Sequence, residues 1–69
     1  MKTKMWIARD DNYWDLNLFY EKPTSEEGVW DTNKICYQID PNWFPELTFE
    51  NSPQEIEIEL KLINNGNQD

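Results

Sequence analysis

The chain has 69 residues and a formal charge of −8, with fourteen acidic residues against six basic ones and a single cysteine. That length makes one domain near the lower limit for folding without metals or disulfides. The charge argues against direct binding to nucleic acid or anionic membrane, whose phosphates are met by Lys and Arg, and one cysteine excludes an internal disulfide framework.

Four Trp, three Tyr and three Phe supply the apolar area that a short chain needs. Each ring buries about 150–250 Å² when covered. Lys2 and Lys4 open the sequence, but no apolar run follows them. Neither a signal peptide nor a membrane span is expected, and the expected location is the cytoplasm of a bacterial host cell.

Period-two alternation dominates. Residues 4–9, KMWIAR, predict a first strand with Met5 and Ile7 on one face and Trp6 and Ala8 on the other. Asp10-Asp11-Asn12 is turn chemistry, because Asp and Asn bond to their own main chain. Residues 13–21, YWDLNLFYE, predict a second strand, with Trp14, Leu16, Leu18 and Tyr20 sharing one face and Tyr13, Asp15, Asn17, Phe19 and Glu21 the other. The two strands read as a hairpin.

Residues 22–28, KPTSEEG, read as a loop between Pro23 and Gly28. Val29 and Trp30 begin a third strand, and residues 34–39, KICYQI, make a fourth, with Ile35, Tyr37 and Ile39 on one face. Cys36 in that run is expected to be a buried, inert thiol. In DPNWFP, Asp40 can cap one helical turn that Pro45 then ends, placing Trp43 and Phe44 on the sheet. Leu47 and Phe49 alternate with Thr48 and Glu50 as a short strand, and residues 54–63 form the last one. The predicted fold is mostly β: a small single-domain antiparallel sheet of four to five strands with one short helical turn. The domain covers residues 1–63, and 64–69 form a polar tail.

Several chemistries are missing from the sequence. With no histidine, the commonest general base and metal ligand is gone. One cysteine builds no structural zinc site, and two glycines make no phosphate-cradling loop. Asp10, Asp11, Asn12 and Asp15 lack the glycine and terminal glutamate of a calcium loop. Neither catalysis nor a cofactor is expected.

The sharpest pattern is QEIEIELKLI, residues 54–63. In a strand, Glu55, Glu57 and Glu59 stand in line on one face at about 6.6–6.8 Å intervals, while Ile56, Ile58, Leu60 and Leu62 take the other. One reading makes the row the solvated side of an amphipathic strand, where charge discourages edge-to-edge aggregation. The other makes it a surface resembling a nucleic-acid backbone, attractive to grooves lined by Lys and Arg. An exposed aromatic would then supply anchor energy, and Phe19, beside Asp15, Asn17 and Glu21, is the candidate; as a core residue it would serve packing instead.

WIARD at residues 6–10, LNLFYEKP at 16–23 and FPELTFENSPQEIEIEL at 44–60 occur in that order. In this pattern the chain resembles small uncharacterised acidic proteins of gut-bacterial phages and mobile elements. The resemblance implies a context in which small acidic proteins occupy a host protein, and it carries over no functional residue. The expectation is a non-catalytic acidic interaction module, such as a phage-type inhibitor, that binds a basic surface of a host nucleic-acid-binding protein through Glu55, Glu57, Glu59 and Phe19. The alternative is an assembly protein that forms a homo-oligomer through sheet edges or exposed aromatics.

Overall fold

The computed structural model describes residues 1–34 and 36–63. Six strands form: β1 (Lys2–Arg9), β2 (Leu16–Phe19), β3 (Thr24–Glu26), β4 (Val29–Asp31), β5 (Cys36–Ile39) and β6 (Gln54–Glu59). Four build an antiparallel sheet in the order β5-β2-β1-β6, and β3 and β4 form a separate hairpin. Among the described residues there is no helix; Asp40–Leu47 runs through turns closed by Trp43 N to Asp40 O and Leu47 N to Phe44 O. No helix there is long and apolar enough to cross a membrane.

The alternation assigns the faces as expected. Met5 stands opposite Ile56 and Ile7 opposite Leu18, and Leu16 lies between Arg9 and Ile39. The same face receives the 40–53 loop, which inserts Leu47 against Ile7 and Leu16. The other face carries Trp6, Ala8 and Phe19 and receives the β3–β4 hairpin, whose β4 packs on β1. We call them the loop face and the hairpin face.

Arg9 holds the loop in place. Its side chain is buried and donates from Nε to the Leu47 carbonyl at 2.6 Å. From Nη1 it donates to Pro41 and Tyr13, and from Nη2 to Trp43 and Phe44. The rigid guanidinium fork thus satisfies carbonyls that a loop folded over a sheet would otherwise leave without partners. Ser52 Oγ completes the attachment by accepting from Arg9 N.

Several expectations are corrected. The strand predicted over 47–50 is loop, because Arg9 takes the Leu47 carbonyl and the Asn51 side chain takes the Thr48 N–H. The loop predicted over 22–28 contains β3, which turns into β4 through Glu27 and Gly28. Both have positive φ, as a two-residue hairpin turn of primed type requires. Cys36 is exposed on edge strand β5 rather than buried. Ile35 and the 64–69 tail lie outside the described residues.

Candidate interaction surface

The three glutamates do share one exposed face of β6. The register shows what stands beside them: Glu59 is opposite Lys2, Glu57 opposite Lys4, and Glu55 opposite Trp6. Lys61 Nζ lies 3.9 Å from Glu59 Oε2, and Lys22 Nζ sits 5.4 Å above the Trp6 ring. Lysines that look scattered in sequence are therefore gathered by topology around the glutamate row. Opposite-charge cross-strand pairs of this kind contribute roughly 0.2–1 kcal/mol each. By register Lys2 and Lys4 stand where they offset part of the charge of Glu59 and Glu57.

Phe19 does not serve as the exposed anchor. It is 1 % exposed, opposite Trp6 and Cys36 on the hairpin face, and among the largest fully buried side chains. Burying that ring is worth more to a core this small than displaying it.

The uncompensated charge lies at the other end of β1, in the turn that joins β1 to β2. Asp10, Asp11 and Asp15 are in this turn, and Asp31 is close enough to raise the Asp10 pKa. Burial is the main cause that pushes the Asp10 carboxyl up. The Trp30 N–H, which donates to Asp10 Oδ1 at 3.0 Å, pulls it down, and the charges of Asp15, Asp11 and Asp31 push it up again. Among the described residues, the cation hydrogen-bonded to this turn is Arg9, whose donors are spent on carbonyls.

Two aromatics project from the same turn. Trp14 is 66 % exposed and Tyr13 half-exposed. Their placement is tightly specified. Asn12 Oδ1 accepts from Trp14 N at 2.8 Å and from Asp15 N at 3.1 Å, and Asn12 Nδ2 donates to Asp15. Asp10 N donates to Asp15 O, Tyr13 N to Asp10 O, and Asp11 N to Gly28 O. Tyr13 adopts a left-handed φ of 61°, uncommon for a bulky residue. Its hydroxyl donates to Glu50 at 2.7 Å, which raises the Tyr13 pKa and lowers that of Glu50.

The alternation that suggested a strand from residue 13 is interrupted by Asn12, whose side chain captures two main-chain N–H groups. An Asn directly before an aromatic pair, flanked by Asp, is the sequence signal for this turn.

Among the described residues no group of three or more acidic or cysteine side chains is arranged to hold a metal. An open groove of about 420 Å³ runs along the loop face between Trp43, Phe44, Leu18, Ile39, Ile56 and Ile58. In comparisons with known proteins, no family model, curated protein or solved structure matches the chain.

Proposed function

We propose that the protein is a non-catalytic acidic interaction module that binds a basic surface of a protein partner through its β1–β2 turn. One observation carries this reading: Trp14 stands largely in solvent on a hydrogen-bonded turn whose neighbours are acidic. Trp and Tyr are the residues most enriched among those that dominate binding energy. A main chain already held by hydrogen bonds at Trp14 and Asp15 loses little further backbone entropy when it binds. The surrounding carboxylates steer a basic partner and disfavour an acidic one. The Lys- and Arg-lined groove of a host nucleic-acid-binding protein has the required chemistry, and it is the class of target that the resemblance to phage proteins suggests. Glu55, Glu57 and Glu59 are a secondary strip in this reading, since lysines already flank them.

The test is capture from a bacterial lysate at low and high salt. It compares the native chain, Trp14→Ala, and the triple variant Glu55→Gln/Glu57→Gln/Glu59→Gln, each checked for folding. A basic partner should be retained by the native chain at low salt, weakened modestly by the triple variant, and lost with Trp14→Ala. Truncating such an anchor costs about 2 kcal/mol or more, roughly thirtyfold in affinity. Equal capture by native and Trp14→Ala chains, or no capture by either, overturns the assignment.

A further inference from the structure

The loop face is only half covered. The 40–53 loop thickens the end that carries Arg9, Leu16 and Ile39, and it stops at Trp43 and Phe44, both about half-exposed. Beyond that step the face is bare. Tyr20 packs edge-on against Tyr37 along one side, with both rings exposed. Along the other side Ile58 is followed by Leu60, whose N–H donates to Met1 O, so the ladder continues past β6. Leu62 is then 99 % exposed.

Charge is segregated between the two faces. Lys2, Lys4, Glu55, Glu57 and Glu59 all belong to the hairpin face by register. On the loop face the strands present chiefly Met5, Ile7, Leu16, Leu18, Ile56 and Ile58, and the sole charge that the strands bring to it, Arg9, is saturated under the loop.

We infer that the protein forms a two-fold dimer in which the loop faces of two copies stack with their strands antiparallel across the interface. In that arrangement the step on each copy, Trp43 and Phe44, fills the bare end of the other, at Leu60 and Leu62. The interface is self-complementary, as a two-fold axis demands. The strands bring no unpaired charge into it, because Arg9, the one charged side chain they present on this face, is saturated under the loop.

Electrostatics select the antiparallel orientation. The covered end carries Asp10, Asp11, Asp15, Asp40, Glu46 and Glu50, whereas Lys2, Lys4, Lys22, Lys61 and the amino terminus outnumber Glu21, Glu57 and Glu59 at the bare end. Stacking head to tail sets the acidic end of each copy against the basic end of the other and holds the two acidic ends apart. Pairing through the β6 edges is disfavoured. Keeping the faces continuous there would set glutamate against glutamate, and slipping by one residue would mix the apolar and charged faces.

Phe44 adds an independent sign. It holds a left-handed φ of 55° while remaining half-exposed, a conformation that glycine would adopt more readily. A strained, exposed aromatic at the step has a purpose if another copy covers it.

The inference rests on other residues than the proposed partner site: its contacts are made by Trp43, Phe44, Leu60 and Leu62, not by Trp14. It is tested by sedimentation equilibrium on the full chain up to millimolar concentration, with Leu60→Lys and Phe44→Gly variants. Both sites are open enough for the fold to persist, and Phe44→Gly removes the strained φ. The native chain should dimerise reversibly, and each variant should weaken the dimer by about tenfold or more.

Geometry is read in a Cys36→Ser background by mixing chains carrying Phe44→Cys with chains carrying Leu60→Cys under oxidising conditions. A disulfide between unlike chains, with little between like chains, is expected. A chain that stays monomeric, a dimer indifferent to both variants, or cross-links chiefly between like chains overturns the inference. The monomeric result would leave the face for a different protein.

Discussion

Arg9 and Leu47 are joined by a 2.6 Å hydrogen bond from Nε to the main-chain carbonyl, across thirty-eight positions of sequence. That contact and its neighbours make one side chain responsible for the path of the 40–53 loop, and through the loop for the burial of Leu47 on Ile7 and Leu16. Lysine keeps the charge but not the planar fork that reaches several carbonyls at once. Arg9→Lys is expected to lose about 2–4 kcal/mol, since hydrogen bonds to charged groups contribute about 1.5–3 kcal/mol each and are not additive. A domain this size has only about 3–10 kcal/mol in total. Urea denaturation followed by circular dichroism reads the loss directly. A loss below about 1 kcal/mol would mean that water replaces the fork without difficulty.

Asp10 gives the fold an unusual pH term. Burial raises its folded-state pKa above the ordinary 3.8, so the fold binds that proton more tightly than the unfolded chain does. Its contribution to stability is therefore greatest below 3.8 and is lost as pH rises through the raised folded value. Glu50 acts in the opposite sense. Its lowered pKa contributes stability above its ordinary 4.5 that is lost as pH falls. Asp10→Asn should be at least as stable as the native chain at pH 7, provided the amide oxygen keeps the Trp30 N–H. The advantage should shrink on acidification to below 3.8. Stability measured at several pH values for both chains decides this: a difference constant with pH would show that Asp10 is not the titrating group.

The faces of the sheet were legible because strand alternation is local. Met5 and Ile7 separate from Trp6 and Ala8 by period alone, as Ile56 and Ile58 do from Glu55, Glu57 and Glu59. The neighbour of β6 was not legible, since pairing of residues 54–59 with 2–7 depends on the route of the whole intervening chain. The lysines that flank the glutamate row were visible in sequence only as isolated cations. The same holds for Phe19, whose polar neighbours in sequence suggested exposure, while the Trp6 and Cys36 strands on either side and the hairpin above bury it. Trp14 was misplaced for a different reason. Alternation continues through residues 13–15, but hydrogen bonds from the Trp14 and Asp15 main-chain N–H groups to the Asn12 side chain override it.

Gly28 and Asp11 are predicted to be coupled. Gly28 has a φ of 81°, and a Cβ built on it would lie 2.1 Å from an Asp11 carboxylate oxygen. Gly28→Ala therefore meets both a conformational cost of about 1–2 kcal/mol in the left-handed region and a steric conflict with Asp11. Thermal unfolding should show the single variant clearly destabilised. Adding Asp11→Gly should restore the steric part and leave the conformational part. If the double variant is no better than Gly28→Ala, the carboxylate moves aside freely and the two positions are independent.

The pairing of Lys4 with Glu57 offers the most direct test of whether the glutamate row belongs first to the sheet. The two are direct cross-strand partners on the hairpin face, with Lys2 and Glu59 paired alongside. Reversing one charge, as Lys4→Glu, sets like charges opposite each other beside the remaining carboxylates and should destabilise the fold. Reversing both, as Lys4→Glu/Glu57→Lys, should recover most of the loss. The coupling in this double-mutant cycle is expected at roughly 0.2–1 kcal/mol and should shrink in high salt. Zero coupling at low salt would mean that the lysines do not engage the row. The three carboxylates would then project their full charge to solvent, and the surface available to a basic partner would extend from the β1–β2 turn to the β6 edge.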